Sequence, residues 1–371
     1  MKIYTATFFR DNYGSALQAY ALQSKLRELG ARPVIVDRKA GVKKPGTLQK
    51  LRLFLRPEKN YGLIRKLRRY AQQKMYREKS RKINRFISEN ISVLPFDRAV
   101  EEIEKEPCVL LAGSDQVWST LNHPINGFYL FDYVKADHVR RVSYAASIGI
   151  SEITPEQCDY YRQVLAPFDV VSLREKKACA ELGLHLQNRV VRQDVDPTLL
   201  YDGSFWEKLI QKEGKEAPEE PFLFVYMLRP DKKVIRIAKK IAKDCQLKIV
   251  YMGLYVNRYA GIRTIADGGI EDFLYYIKNA QIVVTNSFHG TVFSLLFEKK
   301  FVSVRLEGTS SRAEGLLENA GLSDHLIDRE EEAVIAGQDY DYGEVRRRLD
   351  ENRNRSIRYL QTVVNETEEG D

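Results

Sequence analysis

Residues 281 to 297, QIVVTNSFHGTVFSLLF, place an imidazole, His289, where an apolar β-branched run meets an apolar-periodic helix. A strand, a tight turn and a helix N-terminus are expected there. The first N–H groups of such a helix, at the positive end of its dipole, form a ready site for an anion. Gly290 and Thr291 are the expected backbone cradle, with Gly290 letting a ligand approach the main chain. A histidine beside a bound phosphate or carboxylate suits general acid work. The competing reading of the same spacing is that His289 only caps the turn.

Other groups able to do chemistry fall at the ends of apolar runs: Asp11 to Gly14, Gly113 to Asp115, Ser147 and Gly149, Arg174, and Asn286 to Gly290. In open α/β sheets ligands bind outside the carboxyl ends of the strands, so these turns are the candidate site. Asp115 could orient a hydroxyl group or cap a following helix. Arg174 could face a ligand or pair with Glu175 or Asp169. Asp196, before Pro197, reads as a turn former. Asn12 and Gly14 read as shaping the first β-α turn.

The elements that must hold these turns alternate. YTATFF at 4 to 9 reads as a buried strand; Leu17, Ala21, Leu22, Leu26 and Leu29 then repeat at helical spacing until Gly30, and PVIVD follows as a strand. CVLLAG at 108 to 113, RVSYAASIG at 141 to 149 and DVVSLRE at 169 to 175 are further strands, the last running into a helix from Lys176 to Leu182. The turn-rich QKEGKEAPEEP reads as a junction, after which FLFVYML, LKIVYMG, QIVVTNS and FVSVRLE alternate with helical stretches. This pattern predicts an α/β protein with two Rossmann-like, doubly wound domains facing a cleft. The expected divisions are 1–200, with a basic helical insertion at 39–90; 201–341; and a C-terminal helix, 342–371, that returns to the first domain.

A chain of 371 residues exceeds the usual size of one core, and 44% hydrophobic content suffices for two. No apolar run reaches the length of a membrane span, and MKIYTATFFRD lacks signal-peptide regions, so a cytoplasmic location is expected. Cys108, Cys158, Cys179 and Cys245 form no CxxC pair, and the five histidines show no metal-binding spacing, so no metal is expected. The net charge of +8 is uneven: between Lys39 and Phe86 there are 17 Lys or Arg against two acidic residues. Within that stretch Leu63, Leu67, Tyr70, Ala71 and Met75 fall at helical spacing among the cations. Residues 39–86 are thus expected to dock on an anionic membrane surface, each nearby cation contributing about 1 kcal/mol. Plain solvated surface is the competing reading; no nucleic-acid partner is expected, since no such module accompanies the charge.

At the candidate turns the chain resembles the polysaccharide pyruvyl transferase family. The resemblance runs through NYGSALQAYALQ at 12 to 23, LLAGSDQVWS at 110 to 119, YAASIG at 144 to 149, VSLREKKA at 171 to 178, VDPTLLYDGSFW at 195 to 206, FVYML at 224 to 228 and NSFHGTVFSLLF at 286 to 297. It implies a glycosyltransferase-B-like fold and transfer of the enolpyruvyl carbons of phosphoenolpyruvate onto a sugar hydroxyl, forming a pyruvate ketal on a polysaccharide or lipid-linked glycan precursor. By position it makes His289, Arg174 and Asp115 the catalytic candidates. Asn286, Ser287, Gly290, Thr291 and Arg312 become donor-binding candidates, and Asn12, Tyr13, Gly14 and Ser147 acceptor-binding ones. Many relatives carry an arginine two residues before the histidine, where this chain has Ser287; Arg312 in GTSSRAEG, or less readily Arg305, could supply a second cation.

Phosphoenolpyruvate carries a carboxylate and a phosphate on adjacent groups, which planar, permanently charged guanidinium donors match. The scheme requires no cofactor. A location at the inner face of the cell membrane would fit a lipid-linked acceptor. Two alternatives stand beside this reading: a glycosyltransferase using a nucleotide-sugar donor, with Glu271 or Glu314 on the ribose, and a non-catalytic relative that binds glycan or membrane.

Overall fold

The computed structural model describes the chain except residues 11, 39–62, 122, 151, 187–188, 213–219, 254–256, 307–310 and 366–371, and without the side chains of 63–73, 211–212 and 311. The elements in order are β1 (Lys2–Ala6), α1 (Tyr13–Glu28), β2 (Arg32–Asp37), α2 (Leu63–Asn90), β3 (Val93–Pro95), α3 (Phe96–Ile103), β4 (Cys108–Ala112), β5 (Val139–Ser143), α4 (Pro155–Val164), β6 (Val170–Leu173), α5 (Lys176–His185) and β7 (Val190–Gln193). They continue with α6 (Gly203–Lys212), β8 (Phe222–Met227), α7 (Lys232–Asp244), β9 (Lys248–Gly253), β10 (Arg263–Ile265), α8 (Ile270–Asn279), β11 (Ile282–Thr285), α9 (Phe288–Leu296), β12 (Lys300–Val304), α10 (Ser311–Ala320), β13 (Leu326–Ile327) and α11 (Tyr342–Asn365).

Two parallel sheets result. The first runs β3-β2-β1-β4-β5-β6-β7 and the second β10-β9-β8-β11-β12-β13. In each, the first strand lies inside and the order reverses beside it, between β1 and β4 and between β8 and β11. That reversal opens a crevice at the strand ends. The innermost strands, CVLLA of β4 and FLFVYM of β8, are buried at every position, as a parallel sheet covered on both faces requires. The expected strand at 141 to 149 instead ends at Ser143; the chain beyond bends through Ala145 at φ +44°. The turns after β4 and β5 stay linked to each other and to the end of β6 by isolated bridges, Asp115 to Ala146 and Ala146 to Leu173.

Among the described residues, three segments run between the lobes. Residues 194–202 carry the chain across, with Asp196 accepting from Thr198 N at 2.9 Å. Helix α11 starts against the second lobe, where Arg346 Nε donates to Glu298 at 3.2 Å, and ends against the first, where Tyr359 OH donates to the Ser143 carbonyl at 2.8 Å. Helix α2 is the third. Ile83, Phe86 and Ile87 are buried, Lys79 Nζ donates to the Gly253 carbonyl at 2.6 Å, and Lys82 pairs with Asp272 at 3.4 Å.

The C-terminal half of the basic segment is therefore an interlobe seam. The apolar spacing that serves packing continues past Met75, where the expected stripe stopped. Residues 39–62, and the side chains of Leu63, Leu67, Tyr70 and Ala71, lie outside the described set. No helix among the described residues is long and apolar enough to cross a membrane.

Candidate functional site

His289 sits in the first turn of α9 and is 7% exposed. Its Nε2 lies 3.6 Å from Asp196 Oδ2, an ion-pair separation longer than a hydrogen bond. The opposite edge of the ring packs on the first lobe at Gly14, where an added Cβ would fall 2.0 Å from Nδ1. Glycine at 14 is thus required by the approach of the imidazole. The ring lies between the lobes rather than in the core of either, with Nε2 buried and without a hydrogen-bond partner.

Asp196, which the sequence reading took for a turn former, is the hub. Its side chain is fully buried, it accepts from Thr198 Oγ1 at 2.5 Å, and its Oδ2 lies 2.8 Å from Arg174 Nη2. Burial alone would raise the carboxyl pKa; the Arg174 guanidinium, then His289 and Thr198, outweigh it and hold Asp196 well below the usual carboxylate range. Its signal in the sequence was a lone carboxylate at a strand end before proline, a pattern also made by ordinary turns.

Arg174 follows β6, is 4% exposed at its side chain, and donates to Ser114 Oγ at 2.5 Å. Neither Glu175 nor Asp169 is its partner: Glu175 accepts from Ser147 Oγ and from the Gly149 amide at 3.3 Å, and Asp169 from the Arg141 amide at 3.2 Å. Arg312, at the start of α10, reaches in from the second lobe, its Nη1 3.8 Å from Asp115 Oδ1. Burial and then the nearby Arg174 charge pull its pKa below the ordinary arginine value. Both guanidinium groups stand over the Phe288 ring, at 4.9 and 5.5 Å from its centroid. Arg174 Nε and Nη1 and Arg312 Nε are buried without hydrogen-bond partners. Two like charges held this close, with donors unused, are what an anionic ligand would satisfy.

Asp115 sits at φ +71° in the turn after β4, with no helix to cap. It accepts from Ser15 Oγ at 2.8 Å and from the Gln116 amide at 2.9 Å while facing Arg312. Arg305 points away, toward Glu314 at 3.5 Å and Asp328 at 4.0 Å. Of the carboxylates considered for a ribose, Glu314 is on that pair and Glu271 lies 3.9 Å from Arg85 of α2.

The expected backbone cradle is not free. Ser287 N-caps α9 by accepting from the Gly290 amide at 3.4 Å, and the Thr291 amide donates to the Ser287 carbonyl at 3.0 Å. Glycine at 290 serves close helix–strand packing, because a Cβ there would fall 2.2 Å from Thr285 Oγ1. The Thr291 side chain is fully buried on Ser303 at 2.9 Å. Asn286 ties β11 to the end of β8, accepting from the Leu228 amide at 3.0 Å and donating to the Arg229 carbonyl at 2.9 Å. The positive charge of the site comes from side chains, and these residues build the wall behind His289.

On the other side, Asn12 N-caps α1 by accepting from the Ser15 amide at 2.8 Å. Tyr13 is fully buried, stacked on Phe273 and donating to the Gly268 carbonyl at 2.8 Å, so it fastens the lobes. Ser147 is fully buried on Glu175. Of the three, Asn12 alone is not buried.

Solved structures of similar fold include S. aureus MnaA in a co-structure with UDP, at 14% identity and TM-score 0.51 over 98% of this chain and 97% of that one. Another is UDP-N-acetylglucosamine 2-epimerase from Rickettsia bellii, at 11% identity and TM-score 0.51 over 99% and 98%. At these identities the likeness is one of fold, the glycosyltransferase-B-like pairing of two parallel-sheet domains. No curated protein sequence matches the chain. The family model for polysaccharide pyruvyl transferases spans residues 12–307, from the cap of α1 to beyond β12, and the chain belongs to that family.

Proposed function

We propose that this protein transfers the enolpyruvyl group of phosphoenolpyruvate to two hydroxyls of a sugar in a cell-surface polysaccharide or lipid-linked glycan precursor. The observation that carries the proposal is the convergence of Arg174, Arg312 and His289, from both lobes, with buried donor atoms lacking protein partners. The two guanidinium groups would hold the carboxylate and phosphate of the donor. Protonation of its methylene carbon creates an oxocarbenium-like centre at C2, which one sugar hydroxyl attacks. A second hydroxyl then displaces phosphate, closing the ketal; two hydroxyl protons leave, one replacing the proton delivered to carbon and one departing with phosphate.

His289 Nε2, beside Asp196 yet without a hydrogen-bond acceptor, supplies the proton or stabilises the leaving phosphate, an effect of about 10² to 10⁴ in rate for a positioned acid. Asp115 orients the attacking hydroxyl and holds Arg312. The chemistry as written requires no cofactor. Docking of the basic segment on an anionic membrane surface would bring the enzyme to a lipid-linked acceptor, and after the packing of α2 it falls to residues 39–78.

The test is phosphate release from phosphoenolpyruvate in the presence of glycan acceptors, with nucleotide sugars as competing donors in a thermal-shift panel. Turnover lost in His289→Ala and in Arg174→Gln is expected. Full turnover by His289→Ala removes the imidazole from the mechanism, and stabilisation by a nucleotide sugar alone replaces the donor.

A further inference from the structure

A cavity of about 40 Å³ opens between residues 193–199, α10 and α11. Arg174, Asp196, Phe288 and Arg312 line it from the site, and Asn352 and Arg355 line it from α11. With roughly 10–15 Å³ needed per water, it holds about three waters, the scale of one phosphoryl group. Its two acidic residues are already committed: Asp194 to Arg192 at 2.6 and 2.9 Å and to Ser172 at 2.7 Å, and Asp196 to Arg174 and Thr198. Its arginines keep spare donors, since Arg174 Nε and Nη1 and Arg312 Nε are buried and unpartnered in side chains 4% and 9% exposed.

Arg355 adds a third arginine to the lining, exposed, with Nη2 donating to Asn352 Oδ1 one turn back on the same helix at 2.8 Å. The rotation of α11 about its axis is fixed on either side of it. Arg353 Nε donates to the Leu199 carbonyl at 2.7 Å, and Ser356 Oγ accepts from the Val195 amide at 3.1 Å.

We propose that Arg355 is a ligand-binding residue: with Arg174 and Arg312 it completes a pocket for a phosphoryl oxyanion, so that the C-terminal helix, beyond the residues 12–307 that match the family, is part of the site. The identification of that oxyanion as the phosphate of the donor rests on the function proposed above; the pocket itself does not.

The experiment compares the full-length protein with Arg355→Gln and with Arg358→Gln, an exposed arginine of the same helix that does not line the cavity. Melting temperature is titrated with inorganic phosphate and with phosphoenolpyruvate, and KM and kcat are measured wherever turnover is present. All three proteins should melt together without ligand. Arg355→Gln should need about tenfold more of either ligand for a given shift, the loss of one charge-assisted contact, and its KM should rise more than its kcat falls. Wild-type protection of Arg355→Gln, equal loss in Arg358→Gln, or no protection of the wild type by phosphate each overturns the assignment. Arg355-dependent phosphate binding without turnover of phosphoenolpyruvate leaves the pocket standing and removes the donor. Normal turnover with an unchanged KM in Arg355→Gln does the reverse.

Discussion

Replacing Asp196 with asparagine keeps the shape of the side chain and the contact with Thr198 but deletes one charge from a buried pair. Arg174, 4% exposed at its side chain, would be left with no carboxylate at 2.8 Å. Breaking a buried pair on one side typically costs about 3–5 kcal/mol, far more than an exposed pair is worth. Urea unfolding followed by tryptophan fluorescence reads the loss, because Trp118 and Trp206, one in each lobe, are both fully buried. Since the folded-state pKa of Asp196 is depressed, its contribution is complete above the unfolded value of about 3.9 and fades only as pH falls toward the folded value. The gap between wild type and Asp196→Asn should therefore narrow below about pH 4, as the carboxyl takes up its proton. Affinity for inorganic phosphate should be kept or raised, because the site gains one net positive charge, while turnover drops. A stability difference under about 1 kcal/mol at pH 7, or one that widens in acid, refutes the assignment of Asp196 as the counter-ion of Arg174.

Gly14→Ala places a methyl group on the His289 ring, and displacing that ring by about 1 Å should lower kcat/KM by roughly 10²-fold in the phosphate-release assay, with less effect on melting temperature. Lys79 has its pKa lowered by burial to about 8, so the unfolded chain binds the extra proton between that value and about 10.4; stability should rise with pH from 8 to 9.5, and Lys79→Met should abolish that rise in urea titrations. Tyr359→Phe removes the hydroxyl that reaches the buried Ser143 carbonyl and should cost about 1–3 kcal/mol by the same assay. Deleting residues 41–62, which removes six of the cations in 39–78 and spares the packed part of α2, should weaken low-salt sedimentation with anionic liposomes; unchanged sedimentation counts against membrane docking.

The alternating strand and helix pattern was legible because the strands are buried on both faces, which makes them continuous apolar runs such as FLFVYM and CVLLA. β7 escaped notice: VVRQ is an edge strand with no fully buried residue, and its short run resembles a loop. The turns that carry Arg174, Asp115, Gly14 and His289 could be found by their place after strands. Which groups meet across the cleft could not. Asp196 lies in a connector whose Asp-Pro pair is a common turn signal, and its partners are 22 and 93 residues away in sequence. The amides of Gly290 and Thr291 looked available because an N-terminus has free donors by default; Ser287, read only as the residue standing where relatives have a cation, is the cap that occupies one of them. The basic segment read as a surface helix because its cations dominate, while Ile83, Phe86 and Ile87 one turn apart turn its far end into packing.

Helix α11 is grasped at both ends, by Glu298 of one lobe and the Ser143 carbonyl of the other, and it has no break between Tyr342 and Asn365. A strut clamped this way resists bending far more than a flexible connector does. Wide swinging of the two halves would tear one of its anchors, so exchange of substrates should proceed by small local adjustments around a site that is already assembled. The last turns of α11 thereby become a poor place for a cut: fraying them would loosen the alignment of arginines that lie more than forty residues upstream.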